Sequence, residues 1–181
     1  MGSIAIKMRS AAVLCVFLLL GGCAAQLAPS YSQSIVDGLN TANTQTMTMF
    51  ATVSAGVTPD TFATGTPMSR QAQYNALIGQ FMALESQVAA RPMPQPPLGT
   101  SAVTPEDWQK VLSTAPTKGS LDTIVSVVTK MRDEDQAHGF KAVTSVGCNS
   151  ATPDPALVCG FQHAYTQNFD SALTYEMALK R

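Results

Sequence analysis

The sequence predicts an all-α fold: a four-helix-bundle-like domain with one short extra helix and a disulfide-closed loop. Four long stretches carry apolar residues every three or four positions, as one face of a helix requires. Proline and glycine separate these stretches. The strand candidate, Lys141–Val146, would have no partner to make a sheet. A chain of 181 residues with 45% apolar and 13% charged residues is typical of one domain that buries a core.

The first helix is predicted over residues 32–55. Its inward face holds Ile35, Leu39, Ala42, Thr46, Met49 and Val53, with Phe50 beside them. Five threonines between positions 41 and 52 lower the intrinsic helix propensity, so packing must supply most of the stability. Gly56 is expected to end this helix.

The second helix is predicted over residues 68–90, with Thr66 as its cap and Pro67 at its first position. Its apolar stripe is the most regular in the chain: Tyr74, Leu77, Phe81, Leu84 and Val88. Gly79 is expected to let another helix approach closely, either inside the bundle or from an outside partner. Arg91-Pro92 should end the helix, because a residue before proline disfavours the helical conformation.

Residues 92–103 contain four prolines and are predicted to form a stiff loop, or else an extended strip that docks on a partner. A short helix should follow over 104–114, with Thr104 as its cap and Trp108, Val111 and Leu112 facing inward. The next long helix is expected from Ser120 to near Gly139. It would bury Leu121, Ile124, Val128 and Met131.

The last helix is predicted over residues 161–180. Its inward residues would be Phe161, Tyr165, Phe169 and Ala172, followed by either Glu176 or Tyr175, and then Leu179. Lys180 suits the negative C-terminal end of a helix dipole.

The N-terminal segment has the pattern of an export signal. Lys7 and Arg9 precede an apolar stretch that runs over residues 11–22. This stretch is shorter than the ~20 residues that a bilayer-spanning helix needs, so a permanent transmembrane helix is not expected.

The apolar stretch ends in Leu20-Gly21-Gly22-Cys23, which resembles the lipobox of bacterial lipoproteins. The resemblance implies that residues 1–22 are removed and that the thiol of Cys23 carries diacylglyceryl, with a further acyl chain such as palmitate on its amine. Residues 23–31 would be the lipidated tether and residues 32–181 the helical domain. Cleavage after Ala25 by an ordinary signal peptidase is the alternative.

The lipobox resemblance also bears on location. Ala24 stands where an aspartate would favour retention in the inner membrane, so we expect the outer membrane, facing the periplasm. The rest of the chain looks like the small helical lipoproteins of proteobacteria. That resemblance transfers no functional residues.

Two cysteines, Cys148 and Cys159, remain after the signal and Cys23 are set aside. An even pair in an oxidising compartment predicts a disulfide, here across a polar loop with two prolines. The alternative is a redox or metal pair, for which the spacing is wrong.

Several functions are disfavoured by the residue pattern. Loss of Lys7 and Arg9 leaves nine basic against 12 acidic residues, with no basic cluster for nucleic acid. No nucleophile elbow or phosphate-binding loop is found, so no enzymatic activity and no cofactor are expected. Asp135 and His138 are weak candidates for a metal site, since a second Glu-x-x-His copy is missing.

Two functional hypotheses follow from these patterns. The first is a membrane-anchored, non-enzymatic accessory or scaffold module of the cell envelope, bound to lipid through Cys23, with an envelope protein as its candidate partner. The alternative is a helical bundle that binds a small ligand or a metal near Asp135 and His138.

Overall fold

A computed structural model describes residues 28–63, 69–92, 104–143 and 158–180. These residues form α1 (Gln33–Ser54), α2 (Arg70–Ala89), α3 (Pro105–Ser113), α4 (Pro116–Ala137) and α5 (Val158–Ala178). A 3-10 turn spans Pro59–Thr61. Within the described ranges, β pairing is limited to one antiparallel bridge between Val57 and Phe140. The predicted all-α class is confirmed.

The four long helices pack around one core. α1 packs against α2 and α5, and α4 packs against the same two helices. Tyr165 lies at the centre of this core: its ring is 5.6 Å from that of Phe50, 6.1 Å from Phe81 and 5.9 Å from Phe169. The apolar stripes of the sequence are therefore the surfaces that meet.

Successive long helices run in opposite directions, which gives the molecule two distinct ends. At the bridge end, the Val57–Phe140 bridge joins the chain after α1 to the chain after α4, and α2 and α5 begin there. At the tether end, α1 and α4 begin and α2 and α5 finish. The Tyr31 ring, just before α1, lies 5.7 Å from Nζ of Lys180, just after α5.

Two predicted helix starts are wrong. α2 begins at Arg70 rather than Met68, and its cap is Ser69, whose hydroxyl accepts a hydrogen bond from the Ala72 N–H. Thr66 and Pro67 lie outside the described residues. α4 begins at Pro116 rather than Ser120, because the fixed φ of proline suits the first helical position and Ala115 before it is extended.

The other helix ends match the predictions more closely. Thr104 caps α3, where its hydroxyl accepts from the Asp107 N–H. Trp108 and Leu112 of α3 are buried. α5 begins at Val158, three residues before the predicted start. Its inward face carries Glu176.

The described residues begin at 28, near the end of the predicted tether. Pro29 is buried and Tyr31 is half-buried, although residues 24–31 show no apolar periodicity. The tether over residues 23–31 stays a prediction.

Close helix contact depends on a glycine other than the predicted one. A Cβ on Gly38 of α1 would lie 2.6 Å from Cδ2 of Leu84 on α2, so Gly38 permits these helices to approach. Gly79 is exposed, and a Cβ there would meet nothing within 4 Å. The expectation that Gly79 admits a helix inside the fold is wrong.

Gly139 is needed for a different reason: it turns the chain after α4. Its φ is +67°, and a Cβ at this position would overlap the carbonyl oxygen of Val57 across the bridge. Gly56, with φ +90°, turns the chain after α1 in the same way.

These two environments predict opposite effects of adding one methyl group. Gly139→Ala should lower the free energy of unfolding by about 1–3 kcal/mol, because it forces a strained φ and a backbone clash. Gly79→Ala should raise it by about 0.5–1 kcal/mol, because alanine loses less entropy in an exposed helix. Urea unfolding of both variants checks this. Equal shifts of the same sign would contradict the described turn.

Candidate functional site

Helix α2 has an arginine beside each of its ends, and both guanidinium groups are buried in ion pairs. Arg70, at the bridge end, donates from Nε to Oδ2 of Asp135 at 2.8 Å and from Nη2 to Oδ1 at 3.0 Å. It also donates to the carbonyl of Thr58 at 2.8 Å and to the hydroxyl of Thr61 at 2.8 Å. This forked geometry joins α2, α4 and the 3-10 turn through one side chain.

Tyr74 lies one turn further along α2, beside the same carboxylate. Burial raises the pKa of the Tyr74 hydroxyl far above its ordinary value, and the negative charge of Asp135 adds to this effect. Tyr74 therefore stays neutral at any physiological pH, and it has the character of a packing residue rather than of an acid–base group.

The second pair closes the tether end. Nη2 of Arg91 donates to Oε2 of Glu176 on α5, and the hydroxyl of Thr117 on α4 donates to Oε1 at 2.6 Å. The indole N–H of Trp108 on α3 donates to the carbonyl of Arg91 at 3.1 Å. Since α4 has no side-chain cap at Ala115, the Glu176 carboxylate is well placed to offset the positive end of its dipole.

The two buried pairs differ in how well they are satisfied. Every guanidinium nitrogen of Arg70 donates a hydrogen bond. Nε and Nη1 of Arg91 are buried without a partner among the described residues. Unpaired buried donors are costly, so the Arg70–Asp135 pair is the better stabilised of the two.

The structure does not bring the predicted metal candidates together. Asp135 is fully buried and committed to Arg70, whereas the side chain of His138 is 66% exposed. Nδ1 of His138 lies 3.7 Å from Oε1 of Glu134, its neighbour one turn back. Across the described ranges, no three His, Cys, Asp or Glu side chains are grouped as a metal site would need.

The cysteine predictions concern residues at the edge of the description. Cys159 is 5% exposed in the first turn of α5, facing the core. Cys148 and Cys23 lie outside the described residues. The Cys148–Cys159 disulfide and the lipidation of Cys23 therefore stay predictions.

Charge is distributed unevenly over the long helices. α1 and α2 together carry Asp37, Arg70 and Glu85, of which Arg70 is buried and Glu85 accepts from Nζ of Lys118 at 2.8 Å. α4 and α5 together carry nine Asp, Glu, Lys and Arg residues. The outer surface formed jointly by α1 and α2, which we call the α1–α2 face, is therefore almost uncharged.

Threonine makes this face less polar than its composition suggests. The exposed hydroxyls of Thr41, Thr44, Thr48 and Thr52 each donate to the carbonyl four residues earlier, at 2.9–3.0 Å. Since the donors are used within the helix, these side chains offer mainly methyl groups and acceptor lone pairs to an incoming surface.

A shallow groove of about 270 Å³ runs between α1 and α2 in this face. Met49 and Leu77 are part of its lining, together with Thr44, Thr48 and Gln73. Next to it, Nε2 of Gln80 donates to Oε1 of Gln45 at 2.7 Å and links the two helices. The groove has no charged lining residue and so suits an uncharged, partly apolar group.

Comparison with known proteins adds no family to this description. No protein-family model, curated protein or solved structure matches the chain. None of the described helices is long and apolar enough to cross a bilayer.

Sequence reasoning missed the two buried arginines and the ion pair of Asp135, whereas Glu176 was one of its two candidates for the inward position of the last helix. Asp135 continues the spacing of Leu121, Ile124, Val128 and Met131, and this position on an apolar stripe was the available signal. Glu176 likewise follows Phe169 and Ala172 on the inward side of α5. No local pattern marks Arg70 or Arg91 as their partners, which lie 65 and 85 residues away.

The Arg70–Asp135 pair predicts a large and specific loss of stability. Asp135→Asn should lower the free energy of unfolding by about 3–5 kcal/mol, because it leaves the Arg70 charge buried and uncompensated. Asp133→Asn is the matched control: Asp133 is 59% exposed in its pair with Arg132 and should change stability by about 0.5 kcal/mol or less.

A double variant separates charge from packing in the same measurement. Arg70→Met combined with Asp135→Leu should cost less than Asp135→Asn alone, because no unpaired charge then stays buried. Urea unfolding of the double variant, of its component single variants Arg70→Met and Asp135→Leu, and of Asp135→Asn gives the comparison. A double variant that is less stable by the sum of both single losses would contradict the described ion pair.

Proposed function

We propose that this protein is a membrane-anchored, non-enzymatic accessory or scaffold module of the cell envelope. Its four long helices form a four-helix bundle, and the acyl chains of Cys23 hold it on the outer membrane, facing the periplasm. Support for the anchor comes from the lipobox resemblance, and support for a bundle comes from the pairwise packing of the antiparallel helices.

The α1–α2 face is the observation that carries this proposal. Depletion of charge is characteristic of the centre of protein–protein interfaces, because charges are costly to desolvate. On this molecule the described charges lie mainly on α4 and α5, or are buried at the ends of α2. A partner can therefore cover the α1–α2 face without leaving ions unpaired.

The occupant that best fits is an uncharged helix of another envelope protein. The exposed side of α2 carries small residues, so the backbone of another helix can come close to it. These residues are Ala76, Gly79 and Ala83. A side chain of that helix would enter the groove between Thr48 and Leu77. Methyl groups and carbonyl-bonded hydroxyls of α1 would flank it.

A small-ligand or metal-binding bundle has weaker support. The groove is open and slightly smaller than the ~300 Å³ at which ligand pockets usually begin. Asp135 and His138 point to different surroundings, one to Arg70 and the other to solvent.

Site-specific photo-cross-linking tests the α1–α2 face. A photoreactive amino acid at Thr44 or Ala76 should cross-link to one protein species in the native membrane. Thr123 and Ser126, exposed on α4, are the matched control positions and should give no such product. Products of equal yield at all four positions, or products of this chain with itself, would contradict a partner helix on this face.

A charge placed on the face should abolish that contact without unfolding the protein. Ala76→Lys should lower the cross-linking yield from Thr44 at least tenfold, because the lysine would have to be desolvated. Ser126→Lys should leave the yield unchanged. Melting temperatures within about 2 °C of the wild type would show that the fold is intact, since surface substitutions change stability little. An unchanged yield in Ala76→Lys would refute the proposed interface.

The anchor is tested by Cys23→Ser in a chain whose residues 1–22 are replaced by a signal peptide that an ordinary signal peptidase removes. This variant should move from the membrane fraction to the soluble periplasmic fraction, while its helix content and melting temperature stay as in the mature wild type. A variant that stays in the membrane fraction would contradict anchoring through Cys23, and a soluble but unfolded variant would contradict an independent helical module.

A further inference from the structure

We propose that the tether end of the molecule rests on the lipid headgroups beside its own anchor, with Tyr31, Met177 and Lys180 as the contacting side chains. This inference rests on the proposed lipidation of Cys23. Its occupant is the bilayer surface itself, which is indicated by the length of the tether and by the chemistry of the three residues.

The tether is short because the packed part of the chain begins early. Tyr31 already lies at the tether end, beside Lys180, eight residues after Cys23. Fully extended, eight residues span about 28 Å. The lipid-bearing sulfur is therefore never more than about 28 Å from the tether end.

The length of the helices fixes which end can face the membrane. α1 and α4 have 22 residues each, which corresponds to about 33 Å. A tether of about 28 Å that starts at one end is shorter than these helices and cannot bring the opposite end to the bilayer. The bridge end is thereby kept away from the lipid.

The side chains at the tether end suit a lipid interface. Nζ of Lys180 lies 5.7 Å from the centre of the Tyr31 ring, and Met177, one turn earlier on α5, is 47% exposed. Tyrosine and lysine are amphipathic: their apolar parts can enter the interface while their polar ends stay in the headgroup layer. Methionine adds a flexible apolar group.

An upright orientation also has a consequence for the α1–α2 face. The face then runs along the membrane normal, from the headgroups outward. It is open to a neighbouring envelope protein over its whole length.

Photo-cross-linking to lipid tests this orientation with matched positions. The acylated full-length protein is placed in vesicles of phosphatidylethanolamine and phosphatidylglycerol, with a photoreactive amino acid at Met177 or at Met47. Met47 is a fair control, since it is 38% exposed but lies in the middle of α1. Lipid cross-linked to the protein is measured by mass spectrometry, apart from the lipid carried by Cys23.

The expected result is at least tenfold more cross-linked lipid from position 177 than from position 47. Lys180→Glu should lower the yield at 177, and Lys130→Glu, an exposed lysine of α4, should not. Equal yields from the two positions on an acylated chain would overturn the orientation. A chain without acyl mass would instead overturn the proposed anchor, so the two failures are distinguishable.

Discussion

The architecture depends on the way in which charge is buried at both ends of α2. A buried arginine is least costly when a carboxylate and several acceptors surround it, and Arg70 has Asp135, two carbonyls and a hydroxyl. This requirement fixes the position of α2 relative to α4 and to the 3-10 turn. At the other end, Glu176 meets both Arg91 and Thr117, so that α5 is tied to α2 and α4 together.

The apolar pattern of the sequence was sufficient for the fold class and for most of the core. The stripe through Tyr74, Leu77 and Phe81 is local information, and helical periodicity exposes it directly. Helix starts were harder to predict from the sequence. Ser69 and Thr66 are equally plausible caps for α2, and Pro116 and Ser120 are equally plausible starting points for α4. Proline and serine mark several possible starts, and tertiary packing selects among them.

The buried ion pairs could not be predicted in the same way. Asp135 stands in an acidic run that resembles a solvated helix end. A shift of one residue along a helix, about 100° of rotation, decides whether such a residue faces water or the core. Glu176 and Tyr175 were equal candidates for the inward position until packing placed Glu176 opposite Thr117. Pairs that are this distant in sequence leave no local signature, so the candidate metal site at Asp135 and His138 was a misreading of a structural charge.

The same distribution of charge connects the fold with the proposed function. Charges that stabilise the fold are buried at the ends of α2, seven others lie on α4 and α5, and the α1–α2 face is left almost uncharged. The most direct test of an anchored scaffold is a native mass spectrum of the protein, extracted from its own membranes in mild detergent. The account predicts a chain that begins at Cys23, carries acyl mass and retains the mass of a protein partner. A bare monomer without acyl groups would contradict it.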